Sequence, residues 1–89
     1  MITPYRSTPV FDETTLPEAL RREHRTKAGV WGVIRVIEGT LRLRLAGTAE
    51  EVVLTPDRPG IVLPEQTHCV EPVGRMRMRV DFYDRSPPF

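Results

Sequence analysis

The plainest pattern in the chain is the strict alternation Leu41-Arg42-Leu43-Arg44-Leu45. Successive side chains on a strand point to opposite faces, so this segment predicts leucine buried on one face and arginine on the other. Residues 75–83 repeat the pattern, with Met76, Met78, Val80 and Phe82 on one face. Residues 30–38 differ, because Val30, Val33, Ile34, Val36 and Ile37 leave neither face polar. That suits a strand covered on both sides. Shorter extended segments are read at 23–26, 51–54, 61–63 and 68–71.

Punctuation separates these segments. Lys27-Ala28-Gly29, residues 46–48 and Pro72-Val73-Gly74 predict turns, and Glu38-Gly39-Thr40 predicts a hairpin. Residues 55–60, with Pro56, Pro59 and Gly60, form a tight loop. In Thr15-Leu16-Pro17-Glu18, Thr15 can cap a helix, Pro17 suits its first turn and Glu18 can close a capping box. Apolar positions end at Leu20, so the helix is one or two turns, over about 17–21. Pro4 and Pro9 favour an extended arm over 1–12, packed through Tyr5, Val10 and Phe11. Residues 84–89 read as a loose tail. About six to eight short strands with one helical turn predict an all-β sandwich or small barrel.

The chain has 89 residues, enough for one domain over 1–89 and a thin core. With 39% hydrophobic and 28% charged residues the balance is that of a globular protein. Thirteen basic against 12 acidic residues give a net charge of +1, so no overall field draws it to nucleic acid or membrane. One cysteine, Cys69, excludes an internal disulfide and a thiolate-rich zinc module. No apolar run is long enough to span a bilayer, and Met1-Ile2-Thr3-Pro4 lacks a signal-peptide layout, so a cytoplasmic location is expected.

His24 and His68 are the first candidates for chemistry. Histidine titrates near neutrality and is the commonest metal ligand, and two on neighbouring strands can face one lumen. The plainer alternative is two half-exposed polar residues. Lys27 is the only lysine among 13 cations and stands near His24, where a compact amine can meet a ligand; the alternative is a solvated turn lysine. Trp31 can wall a pocket or fill the core. Cys69 alternates away from His68, which argues against a Cys-His pair. Arg42, Arg44, Arg75, Arg77 and Arg79 form a basic stripe if their strands are neighbours; no aromatic platform interleaves them, so nucleic acid is not expected.

Residues 60–68, Gly-Ile-Val-Leu-Pro-Glu-Gln-Thr-His, look like the second half-motif of cupins, and residues 33–39 resemble the end of the first. A closer likeness is spread over nearly the whole chain. It runs through Pro4-Tyr5-Arg6-Ser7-Thr8-Pro9, Glu23-His24-x-Thr26-Lys27-x-Gly29-Val30-Trp31-Gly32, Gly39-x-Leu41, Pro64-x-x-x-His68-x-Val70-Glu71 and Val80-Asp81-Phe82. These resemble the family of the tellurite-resistance TehB amino-terminal domain and its stand-alone YeaR-like relatives. The resemblance implies a small cupin-like β-barrel, a double-stranded β-helix or jelly roll. In TehB, methyl transfer from S-adenosylmethionine belongs to a separate, larger domain. This chain has no room for it and no glycine-rich strand-to-helix turn, so that activity is not expected here.

A metal-binding cupin brings His-x-His and a glutamate from its first motif and a histidine from its second. Here His24 is followed at i+2 by Thr26, the glutamate position falls near Trp31 or Gly32, and only His68 matches. His24 and His68 alone fall short of the three or four ligands that hold zinc, nickel, iron or manganese firmly. Glu71 stands three residues from His68, so on a regular strand it faces the other way unless a bulge intervenes, and Asp81 and Glu23 are further candidates without a geometric argument.

Three readings of function follow. The first is a binding module that uses His24, Lys27, Trp31 and His68 for a small ligand, an oxyanion or a loosely held divalent metal ion. The second is a small metal-dependent enzyme of oxygenase, isomerase or thiol-handling type. The third is a structural or regulatory dimerisation module. Cupins commonly dimerise, and residues 30–37 need cover on two sides, so a homodimer is expected.

Overall fold

The two alternating segments become the halves of two long strands. The computed structural model describes residues 3–47 and 49–87. Met1 and Ile2 of the expected arm, Thr48 of the expected 46–48 turn, and Pro88 and Phe89 of the expected tail lie outside the described residues. The elements are β1 (Arg6–Ser7), β2 (Phe11–Asp12), α1 (Glu18–Arg21), β3 (Trp31–Leu45), β4 (Glu51–Leu54), β5 (Gly60–Val62) and β6 (His68–Tyr83). All strand pairs are antiparallel. The order is β1-β6-β3-β4, with β2 also on β6 and β5 also on β3.

β3 has 15 residues and β6 has 16, and they pair from Trp31↔Tyr83 to Leu45↔His68. A straight strand of that length spans about 50 Å at ~3.3 Å per residue. The longest dimension of the molecule is 32 Å, so both strands bend. The bend coincides with register shifts between Val36 and Glu38 and between Gly39 and Thr40. Extra residues in one strand bend it and increase its twist. Gly39 has φ 83°, and a Cβ there would run into the Arg75 carbonyl oxygen and approach Met76 Cα to 2.9 Å. Gly74, on the facing strand, has φ 66°.

The hairpin expected at Glu38-Gly39-Thr40 and the turn expected at Pro72-Val73-Gly74 are therefore bulges. Both segments stay paired and continue through. A glycine at positive φ serves a bulge as readily as a turn. What decides between them is the partner strand, which in the β3–β6 pairing lies about 35 residues further along the chain.

The bend folds the sheet over on itself. Gly60 pairs with Ile34 in the first half of β3. A Cβ on Gly60 would meet Leu54 Cδ1 at 2.8 Å and Leu43 Cδ2 at 3.0 Å, the first from β4 and the second from the half of β3 that β4 pairs with. Ile34, Val36, Leu41, Leu43, Leu54, Val62, Val70, Met76, Met78, Val80 and Leu16 form the core between the halves. The expected burial of Leu41, Leu43, Met76, Met78 and Val80 holds.

The expected closed barrel does not form. The sheet keeps two ends, β1 and β4, and no pairing joins them among the described residues. β1 is two residues long and is flanked by Pro4 and Pro9, which have no N–H to donate. Among the described residues the fold is antiparallel and mostly β, open at its edges, with one four-residue helix.

The arm lies along β6, with Arg6 opposite Phe82 and Phe11 opposite Met78. Phe11 packs on the core, whereas Tyr5 and Val10 are exposed. Thr15 does not cap α1; the N-cap is Pro17, with no side-chain cap bond. Asp12 organises this stretch instead. Its Oδ1 accepts from the Thr14 hydroxyl and from the Thr14 and Thr15 amides at 2.7–2.9 Å, which holds its carboxyl down at about 2. Residues 23–26 contribute only an isolated bridge at His24. Pro87 is buried, so the described end of the tail lies against the body rather than standing off it.

Trp31, Val33 and Arg35 pair across from Tyr83, Asp81 and Arg79 and share the outer face with them. Val33 is fully covered within one chain, so the doubly apolar run does not by itself call for a second subunit. Asp81 is buried on this face. Its carboxylate accepts from Arg35 Nε at 2.7 Å, Arg79 Nε at 3.0 Å and Ser7 Oγ at 2.7 Å. Burial pushes its pKa up, but the bonds from Ser7, Arg79 and Arg35 outweigh that and hold it below the usual carboxylate value. The expected arginine stripe is interrupted by acids: Arg44 and Arg42 meet Glu51 at 2.6 and 3.9 Å, and Arg77 stands opposite Glu38.

Gly39→Ala should destabilise the fold by more than about 2 kcal/mol in urea unfolding, since it adds backbone strain to a clash with backbone atoms. Gly60→Ala should cost about 1–3 kcal/mol, because flexible leucine ends can give way. Asp81→Asn should cost about 2–3 kcal/mol at neutral pH, less than a fully buried pair because Arg79 is partly solvated. The lowered pKa makes the Asp81 contribution complete above the ordinary carboxylate range and lost as pH falls through its folded value. The parent should therefore lose stability more steeply below about pH 4 than Asp81→Asn does, as read by melting temperature against pH.

Candidate ligand-binding cavity

The bent sheet leaves its inner face uncovered on one side. Residues 20–30 cross it and enclose a cavity of about 260 Å³. Inward positions of the strands make the floor: Ile34, Val62, Val70, Met78 and Val80, all buried. The exposed rim carries Arg6, Arg25 and Lys27. No Asp or Glu is among the described residues that line it.

His24 and His68 come together on its wall. Their backbones exchange two hydrogen bonds, His24 N to His68 O at 2.9 Å and His68 N to His24 O at 2.8 Å. Their rings stand 4.1 Å apart, tilted by 55°. Each Nδ1 lies against the carbonyl oxygen two residues earlier, Arg22 O at 3.0 Å and Gln66 O at 2.8 Å. A carbonyl only accepts, so each Nδ1 carries the proton that it donates. In the neutral ring Nε2 is then an acceptor, a tautomer set by the backbone. Burial pushes the His68 pKa down, and the neighbouring His24 adds to this, against the Gln66 carbonyl that raises it. The cavity wall therefore presents His68 as a neutral ring at pH 7 and offers no N–H from it.

Thr26 fixes the facing loop. Its hydroxyl donates to Leu63 O at 3.3 Å and accepts from Glu65 N at 3.2 Å. Leu63-Pro64-Glu65-Gln66 is a tight turn closed by Gln66 N to Leu63 O at 3.1 Å, with Glu65 at φ 61°. Proline at the second position and positive φ at the third are the features of a type II turn. This turn places His68 at the start of β6, opposite His24.

Of the four residues read from the sequence as ligand contacts, His24, Lys27 and His68 line the cavity. Trp31 does not; its neighbour Gly32 does, and alternation turns Trp31 to the outer face. Glu71 and Cys69 lie on the opposite face, in a shallow groove with Arg42, Arg44 and Glu51. Asp81 is held by its two arginines, and Glu23 is exposed. No group of three or more His, Cys, Asp or Glu in metal-holding geometry occurs among the described residues. Arg6 and Arg25 were not singled out from the sequence. Arg25 sits in the run His24-Arg25-Thr26-Lys27, a local cluster that can be read, whereas Arg6 reaches the rim only through its pairing with Phe82.

A family model described as TehB-like domain matches residues 6–80. The chain belongs to the TehB-like family. The probable S-adenosyl-L-methionine-dependent methyltransferase TehB of Haemophilus influenzae is 31% identical to it over 72 residues, a match covering 75% of this chain and 25% of that protein. The crystal structure of TehB from Haemophilus influenzae has a TM-score of 0.84 to it at 27% identity, over 92% of this chain and 31% of that one. The crystal structure of a protein from E. coli strain K12 has a TM-score of 0.85 at 19% identity, covering 97% of this chain and 93% of that one, which shows a shared fold. This TehB-like chain thus spans 25% of the length of its curated relative. No helix among its described residues is long and apolar enough to cross a membrane.

Thr26→Val keeps the shape of the side chain and removes both loop bonds of this TehB-like domain. It should cost about 1–2 kcal/mol. Hydrogen exchange should quicken at the amides of Glu65 and Gln66 and stay unchanged at Leu41 and Leu43.

Proposed function

We propose that this TehB-like domain is a binding module whose cavity takes up a small anionic molecule, an oxyanion or an organic anion. The observation that supports it is the charge of the lining. Arg6, Arg25 and Lys27 surround one opening, and no carboxylate stands among the described lining residues. The whole chain has a net charge of only +1, so this is a local concentration of cations and not a reflection of composition. A low-dielectric wall beside such a rim raises the local concentration of anions.

A divalent metal ion fits the cavity less well. His24 and His68 are oriented through their Nδ1 atoms as ligating histidines often are. Two imidazoles would still face three cations, with no anionic donor to offset the metal charge. An oxygenase or isomerase reading needs a fuller set of protein ligands and is the poorer alternative. The fold is read as an open relative of the cupin double-stranded β-helix. The methyl transfer named for the Haemophilus protein belongs to a chain of which this one spans 25%, and it is not part of this proposal.

The test is a titration of isotope-labelled protein with sulfate, phosphate, tellurite and short carboxylates, followed by NMR. At least one anion should give saturable shifts at Thr26, Lys27 and Val62. The double variant Arg25→Gln/Lys27→Gln should weaken that anion about tenfold or more, equivalent to roughly 1.4 kcal/mol. Saturable shifts with zinc or nickel at micromolar levels, and none with anions, would favour the metal reading instead.

A further inference from the structure

The cavity is polar only near its opening. Arg6, Arg25 and Lys27 are exposed, whereas Ile34, Val62, Val70, Met78 and Val80 beneath them are between 0 and 8% exposed. The buried part offers an anion few donors. Both histidines direct Nδ1 to backbone carbonyls. Thr8 and Thr26 hydroxyls point their protons at the Pro9 and Leu63 carbonyls. A bare inorganic oxyanion placed at the floor would lose its hydration and meet mainly C–H groups, which is strongly unfavourable. An apolar group placed there would cover surface that is otherwise open to water.

Resting on the reading of the cavity as an anion site, we propose that its ligand is an amphipathic organic anion: a carboxylate-type head at the Arg6, Arg25 and Lys27 rim and an unbranched or aromatic hydrocarbon body against the floor. Size agrees with this class. At ~30 Å³ for each water-sized group, 260 Å³ holds roughly eight non-hydrogen atoms, the number in hexanoate. The arrangement follows the usual anatomy of small-ligand sites, an apolar recess with a few polar groups that orient the ligand. The head is held by salt-sensitive attraction at the surface, and the body by burial.

The parent protein is titrated by calorimetry and NMR with acetate, butyrate, hexanoate, hexanol and sulfate. Affinity should rise about fourfold for each methylene added along the carboxylate series, the factor expected for burying a CH₂. Hexanoate should shift the methyl signals of Val62, Val70 and Val80. Hexanol should bind at least tenfold more weakly than hexanoate, and Lys27→Gln should weaken hexanoate while leaving hexanol unchanged. Sulfate should perturb Arg25 and Lys27 only. Equal affinity for acetate and hexanoate, or sulfate binding as tight as hexanoate, would overturn the amphipathic class and leave the anion site standing. Absence of a response to every anion would overturn both.

Discussion

The antiparallel pairing of β3 with β6, shifted in register twice between Val36 and Thr40, is the constraint on which the rest of the molecule depends. Two strands of 15 and 16 residues carry most of the core-facing side chains. Straight, they would make a flat ribbon with an apolar face too long to cover in a chain of 89 residues. Bent at Gly39 and its facing residues 74–75, the ribbon becomes its own cover. Leu43 and Leu54 of one half then reach the backbone of Gly60 in the other, and a single core forms between them. The backbone geometry at Gly39 is therefore what makes a hydrophobic core available at all. No side chain larger than hydrogen fits there, because the partner strand passes too close.

The same bend separates two environments. On the inner face the halves close on apolar side chains, and the space they do not fill is the cavity. On the outer face Asp81 lies among Arg35, Arg79 and Ser7 and accepts a hydrogen bond from each. A buried carboxylate with two arginines and a hydroxyl is stable where an unpaired one would not be. It also joins β1 to β6 and β3 from the outside, since Ser7 belongs to β1 and Arg35 to β3. The cavity wall on the inside is thus backed by a polar network that resists slippage of the strands. No buried side-chain nitrogen or oxygen among the described residues lacks a partner.

The site itself is made from segments far apart in sequence. The backbone bridge between His24 and His68 joins the crossing segment to the start of β6. Thr26 adds a second tie, to the turn before His68. These bonds hold the crossing segment over the inner face without making it a regular strand, so its side chains are free to form a rim. Arg25 and Lys27 reach that rim from one side and Arg6 from the arm on the other.

Much of this was legible because it is local. Alternation along 41–45 and 75–83 depends only on the strand period, so the buried leucines and methionines could be named without a partner. The family likeness was legible too, since its residues are spread along the chain in order. What could not be read was whether Gly39 turns the chain or bends it, because both need the same positive φ and only the facing strand distinguishes them. For the same reason the sequence leaves the face of Trp31 open: one step of strand phase decides it, and that phase is set by pairing with Tyr83. Arg6 had no local signal at all. The sequence by itself determined which side chains prefer water and which segments extend. The tertiary structure alone decided which of them meet, because hydrogen-bond register between distant strands is a property of the pair and not of either strand.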